Sequence, residues 1–422
     1  MQEVTIIKFF VQIFFNLIDI KKIVVYNKSI IIFYETLDMD KKMLIILGVV
    51  IYALSTFASY SYFNAQASTK KVAYEAPVGE DGSAQDGAPK TEPCPLNGQL
   101  YSEEQRSKWE ARRPLGIMVQ NNIEARPQSG LSGADIVHEV VAEGGITRFL
   151  TIYYCENPDV VGSVRSARMY YIQLLQGFGE YPLYAHVGGA NKSGPADALG
   201  EIRKLKWWNY NDLDNLGSVG FPQMWRDYDR LPGRKTEHTV YTNPEKLWSY
   251  AAQKRELTNV DADGVEWTEN WKPWTFQGDA KIEERGAVSK INFGFWDDSL
   301  GSDYLVEWDY DKTTNRYLRV NGGEKHIDFN TDKQLSAKNV IVVFADESVA
   351  KDGYEHGQHL LYDVVGTDDA IVFQNGQAIK GSWKKPDEED MMIFYDKDGE
   401  EIEFVAGKIW IEILPTGNEV TY

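Results

Sequence analysis

From residue 286 to its end, the chain gathers its apolar residues into runs of five to seven: 290–295, 304–309, 316–320, 340–344, 360–365, 370–374, 391–395 and 408–414. A helix needs an apolar stripe sustained over about ten residues, so short runs rich in Val, Ile, Phe, Tyr and Trp read as strands. Between them stand Asn321-Gly322-Gly323, Asn375-Gly376 and Asp398-Gly399, whose tolerance of positive φ suits tight turns. The stretch 95–256 is patterned differently. Strand-like runs at 115–120, 135–142, 149–155 and 182–187 alternate with helix-like segments beginning at 169, at 195–204 and at 245–254. The last of these is opened by Asn243-Pro244, with proline in the favoured first turn. The expected architecture is an α/β sandwich N-terminal domain plus a β-rich C-terminal domain. A junction at 257–285, carrying Trp267, Trp271 and Trp274, connects them.

Ahead of these regions, residues 43–63 carry no charge and are about long enough to span a bilayer. Lys41 and Lys42 precede the run, which places its N-terminal side in the cytoplasm and the bulk of the chain outside. A signal peptide cleaved after Ala67 is the competing reading, since Ala65-Gln66-Ala67 fits the small-residue pattern. On either reading, 39–67 is the anchor or signal and the chain beyond residue 67 is exported. Residues 68–94 are polar and rich in Gly, Ala, Glu, Asp and Pro, the composition of a disordered linker. Residues 1–38 form a doubtful extension, read as either a second apolar segment or a stretch upstream of a true start at Met39.

A formal net charge of −19 over 422 residues argues against nucleic-acid partners, because a phosphate backbone is repelled by most of such a surface. Two cysteines, Cys94 and Cys155, are too few for a disulfide-built scaffold. With no CxxC pair and six histidines, a structural zinc site is not expected. In an exported chain the two cysteines can join as one bridge that pins the linker to the first domain; otherwise they are unrelated thiols.

Within this acidic chain Arg165 and Arg168 stand three apart in VRSAR, between a strand-like run and a helix-like one, and Arg148 lies upstream in GGITR. Guanidinium forks bind carboxylate or phosphate bidentately, so the three are candidates for an anion site, strengthened if a helix N-terminus opens beside them. The competing reading pairs them with Asp135, Glu139 and Glu143. Asp135 is also a candidate for a divalent cation or a base. His186, followed by Gly188 and Gly189, and His238, in Arg234-Lys235-Thr236-Glu237-His238, are candidate site-lining groups. Ser166 lacks the surroundings of a nucleophile elbow. Trp383 and Trp410 read as core residues, with sugar stacking as the alternative.

The strings VQNNIEARPQSGL, ADIVHEVVAEGGITRFL, VGSVRSAR, YPLYAHVGGA and TEHTVYT, with RYLRVNGGEKHIDFNT, AKNVIVVFA, VVGTDDAIVFQNGQAIKGSWKK and KIWIEILP, resemble the YerB-type bacterial envelope lipoproteins. The resemblance, to the two parts of the domain of unknown function numbered 3048, covers about residues 108–415. It implies a cell-envelope protein and supplies no catalytic mechanism. The chain departs from the lipoproteins in lacking a lipobox cysteine, so a membrane helix or cleaved signal stands in for the lipid anchor. In layout alone, ADIV followed by a strand leading to RSAR is similar to the LytR-CpsA-Psr glycopolymer transferases. The expected function is a membrane-tethered, extracytoplasmic factor, without cofactor, that binds a cell-wall polymer, its precursors or the enzymes that build it. The enzymatic alternative is glycopolymer transfer from a polyprenyl pyrophosphate, with the arginines on the phosphates and a divalent cation at Asp135.

Overall fold

The computed structural model describes residues 23–26, 29–32, 88–296, 301–354 and 358–422. The expected membrane segment at 43–63 and the linker up to residue 87 lie outside them. Among the described residues no helix is long and apolar enough to cross a membrane. The chain divides into two units, 1–75 and 76–422. The first contains an antiparallel hairpin, Ile23–Tyr26 with Ser29–Ile32.

The second unit is organised by one ten-stranded sheet. Its strands are β1 (Leu115–Gln120), β2 (Ile136–Glu143), β3 (Ile146–Tyr153), β4 (Leu183–His186), β5 (Asp212–Asp214), β6 (Asn339–Ala345), β7 (Gly366–Gln374), β8 (Gln377–Lys385), β9 (Ile393–Asp396) and β10 (Ile409–Pro415). Their spatial order is β5-β4-β1-β3-β2-β10-β6-β7-β8-β9. The α/β region and the strand-rich region therefore meet inside the sheet, where β2 and β10 pair in parallel from Ile136↔Ile409 to Glu139↔Glu412. Strands β1, β2, β4, β5, β6 and β10 run the same way, because β3 is antiparallel to both β1 and β2. β1, β2, β6 and β10 are buried almost throughout, as expected of strands covered on both faces.

Among the described residues four α-helices accompany the sheet: α1 (Glu103–Trp109), α2 (Met169–Gln176), α3 (Ala198–Lys204) and α4 (Pro244–Arg255). α1 begins with a capping box between Ser102 and Gln105. α3 starts later than its pattern suggests, because the Asp197 carboxylate caps the Gly200 amide and fixes the first turn there. In the strand-rich region a smaller antiparallel sheet of Lys290–Phe293, Val306–Asp311 and Arg316–Asn321 packs Trp308 edge-on to Trp410 of β10. Trp410 and Trp383 are both buried, so neither is a surface platform for a sugar.

A charged network crosses the seam between β2 and β10. Arg319, with no solvent exposure, donates to Glu139 Oε2 at 2.6 Å and Glu412 Oε1 at 2.5 Å, and its guanidinium lies against Trp308 and Trp410. Asn121 and Thr147 donate to the other Glu139 oxygen, and Trp308 Nε1 donates to Glu412. Burial holds the Glu412 carboxyl well above its usual range, and the facing Glu139 raises it further. One guanidinium thus serves two buried acidic side chains.

Cys94 and Cys155 form a disulfide. It joins the segment that leads into the unit, paired as Glu92–Pro93 with Leu100–Tyr101, to the residue just beyond β3.

Candidate functional site

The parallel strands β1 and β4 pair only over 115–117 and then diverge towards their C-terminal ends. Segment 163–167 threads between them. Gln120 N–H donates to Ser163 O at 3.1 Å, Arg165 N–H to Met118 O at 2.8 Å, Val187 N–H to Arg165 O at 3.0 Å, and Ala167 N–H to Gly188 O at 2.9 Å. A crevice beyond the carboxyl ends of diverging strands is where open α/β sheets commonly place their ligands. Helix α2 begins immediately after it. Arg168 is the N-cap in extended conformation, and no side chain caps the helix, which leaves the first-turn amides available to an anion.

All three arginines reach this end of the sheet, with one carboxylate between two of them. Glu143, the last residue of β2, accepts from Arg168 Nη2 at 2.7 Å and from Arg148 Nη2 at 3.3 Å. Each of those arginines is also tied to the threaded segment: Arg148 Nη1 to Ser166 O at 2.8 Å and Arg168 Nη1 to Ala167 O at 3.0 Å. Their side chains are 4% and 7% exposed, against 45% for Glu143, so the cations are fixed and the carboxylate faces solvent. The Nε atoms of Arg148 and Arg168 are buried without a hydrogen-bond partner. Arg165 is half-buried and pairs with no carboxylate among the described residues.

The charges register on one another. Arg148, opposed by burial and helped by Arg168 and Arg165, holds the Glu143 carboxyl below its usual range. Burial, then the like charges of Arg168 and Arg165, lowers Arg148 to about 10. His238 is buried beside the cluster and places Nδ1 2.7 Å from Gln120 Oε1, while Gln120 Nε2 donates to Ser163 Oγ at 2.5 Å. Burial and the Arg165 charge push His238 below its ordinary value, consistent with a neutral ring donating from Nδ1. Gln120 lies directly opposite Arg148 across β1 and β3.

The remaining candidates are placed elsewhere or serve the scaffold. His186 is fully buried, between Gly188 O at 2.8 Å and Asp212 Oδ1 at 2.6 Å. Gly188 has a φ of +58°, and a Cβ there would meet Leu216; one on Gly189 would meet Leu199 and Ala167. The two glycines thus permit close packing of this loop rather than leaving space for a ligand. Asp135 precedes β2, at the opposite end of the strand from Glu143. It accepts from Asn97 Nδ2 at 2.7 Å, Tyr154 N at 2.6 Å and Cys155 N at 3.0 Å, and burial raises it to about 7. Neither an arginine pair nor a place at the arginine cluster falls to it. With Cys94 and Cys155 it forms the acidic and cysteine grouping among the described residues, but sulfurs joined in a disulfide offer no thiolate to a metal.

Sequence reasoning gave Glu143 only as one of three possible arginine partners, and passed over Gln120, Ser163 and Arg319. For Glu143 a signal existed: the Gly144-Gly145 turn returns the chain so that residue 148 faces strand β2 again.

Two family models match the chain: the N-terminal domain of the protein of unknown function DUF3048 over residues 98–258, and its C-terminal domain over 298–411. The putative lipoprotein YerB of Bacillus subtilis is 34% identical over 331 residues, spanning 76% of this chain and 86% of that protein. The crystal structure of Bacillus subtilis YerB is similar with a TM-score of 0.61 and 28% identity, covering 78% of this chain and 99% of that one.

Proposed function

The chain belongs to the DUF3048 family, and from that premise we propose that it is a membrane-tethered, extracytoplasmic factor that binds an anionic cell-wall polymer or its precursor without transforming it. An envelope location is supported by the relative's description as a putative lipoprotein and by the disulfide, which persists in oxidising compartments. Both cysteines of the chain lie in that bridge, which favours the uncharged run at 43–63 over a lipidated cysteine as the means of attachment.

One observation carries the binding role: three arginines gather near an uncapped helix N-terminus, and two of them hold a single half-exposed carboxylate. Forked, permanently charged donors held by the backbone are suited to recognising carboxylate or phosphate. Glycopolymer transfer would ask for a cation ligand beside the arginines, and Asp135 is a strand's length away, engaged with backbone amides. The non-catalytic reading is therefore preferred. Its test is equilibrium binding of the protein to anionic muropeptides and to a polyprenyl pyrophosphate, with Arg165→Ala and Arg168→Ala as comparisons. A loss of about tenfold or more is expected in either variant. Equal affinity in all three proteins would end the proposal.

A further inference from the structure

We infer that the Glu143 carboxylate occupies the seat of a phosphoryl or diphosphoryl group, and that it swings out when a ligand bearing that group arrives. The inference deepens the anion-binding reading and rests on it.

Charge at this end of the sheet is unbalanced. Arg148, Arg165 and Arg168 contribute three positive charges, and the uncapped N-terminus of α2 adds about half a charge more. Glu143 returns one negative charge. Other carboxylates at this end are engaged elsewhere: Glu124 and Glu237 approach His238 at 3.7 and 4.0 Å, Glu124 also pairs with Lys235 at 3.2 Å, and Asp212 and Asp214 face His186 at 2.6 and 3.7 Å. Within the cluster itself, positive charge from three guanidiniums and a helix end exceeds the single charge of the carboxylate seated there. A ligand with a single carboxylate would merely replace Glu143 and leave that excess unchanged. A phosphate monoester or a diphosphate, carrying about two or more negative charges, offsets at least one charge more than the carboxylate it displaces.

The anchoring is asymmetric in the same sense. Arg148 and Arg168 keep their bonds to Ser166 O and Ala167 O whether or not Glu143 is present, so the seat survives its departure. Glu143 has no comparable hold. It lies beside a register irregularity at the end of β2 and is followed by two positive-φ glycines, with open space where a Gly144 side chain would project. The buried, unpartnered Nε atoms of Arg148 and Arg168 add donors that one carboxylate does not satisfy. A phosphoryl group presents more acceptor oxygens than the carboxylate it replaces.

The test is titration of the full chain in detergent with inorganic pyrophosphate, inorganic phosphate and acetate. Removing the internal competitor in Glu143→Gln is expected to tighten pyrophosphate binding about tenfold or more, and Arg165→Ala to weaken it by a similar factor. Acetate is expected to gain no comparable affinity. Glu143→Asp, one methylene too short to span both arginines, serves as the second variant should the glutamine form fold poorly; it too should bind pyrophosphate more tightly than wild type. Equal or weaker pyrophosphate binding in the folded Glu143 variants would overturn the inference. So would a wild type that binds anionic muropeptides in an Arg165-dependent way yet shows no pyrophosphate binding, and that result would leave the broader anion-binding reading standing. Arg165 independence for every anion would remove both.

Discussion

His186 has an acceptor against each ring nitrogen, the Gly188 carbonyl at Nδ1 and the Asp212 carboxylate at Nε2, so it satisfies both only as the imidazolium. Burial opposes that charge, but Asp212 and then Asp214 outweigh it and raise the pKa above the ordinary value. A raised folded-state pKa means stability fully present below about pH 6.5 and lost as pH climbs through the folded value. The stability difference between wild type and His186→Gln, read from urea unfolding, is therefore expected to shrink as pH rises above about 6.5. A difference that grows with pH would contradict the assignment. At the seam, burial holds the Glu412 carboxyl well above its usual range, so Glu412→Gln should cost within about 1 kcal/mol. Arg319→Met strands the buried Glu139 and should cost about 3–5 kcal/mol. Similar losses in the two variants would contradict that difference between the partners. The arginine cluster was legible in the sequence because VRSAR is local. Arg319 was not, because its carboxylates lie 180 and 93 residues away and nothing local marks the pairing.

Among the elements, strands and helices with clear periodicity were readable: β1 and the start of α2 fall where the apolar pattern places them. The threaded segment 163–167 was not, since its hydrogen bonds are shared among β1, Val240 and the chain beyond β4, and it has no repeat of its own. That segment positions Arg165 and caps neither neighbour, which is why it reads as a loop. The Cys94–Cys155 bridge closes a loop of 61 residues, and chain-entropy arithmetic puts its contribution at about 4 kcal/mol. Reduction, or a Cys94→Ala and Cys155→Ala double variant, should lower the denaturant midpoint correspondingly without abolishing pyrophosphate binding, because the bridge lies at the other end of β2 from Glu143. A binding loss that matches the stability loss would show that the two ends are not independent.

For the whole unit, the division into an α/β and a strand-rich region describes the sequence pattern but not the hydrogen bonding, which runs without a break from β5 to β9. Parallel pairing of β2 with β10 could not be read from either strand, since both are near-continuous apolar runs that fit many neighbours. Separating the regions at residue 285 would bare the β2 edge over 136–139 on one fragment and the β10 edge on the other. Neither fragment should melt cooperatively alone, whereas the intact protein should show a single transition across 88–422. A sharp calorimetric transition in either isolated fragment would refute this. The disulfide also defines a mechanical load path. A pull entering at residue 91 meets first the short pairing of Glu92–Pro93 with Leu100–Tyr101, which would unzip easily. Cys94 diverts the tension through Cys155 to the end of β3, a strand hydrogen-bonded on both sides. There the load acts in shear along several bonds at once, so the covalent strut lets the sheet bear tension that the entry hairpin could not.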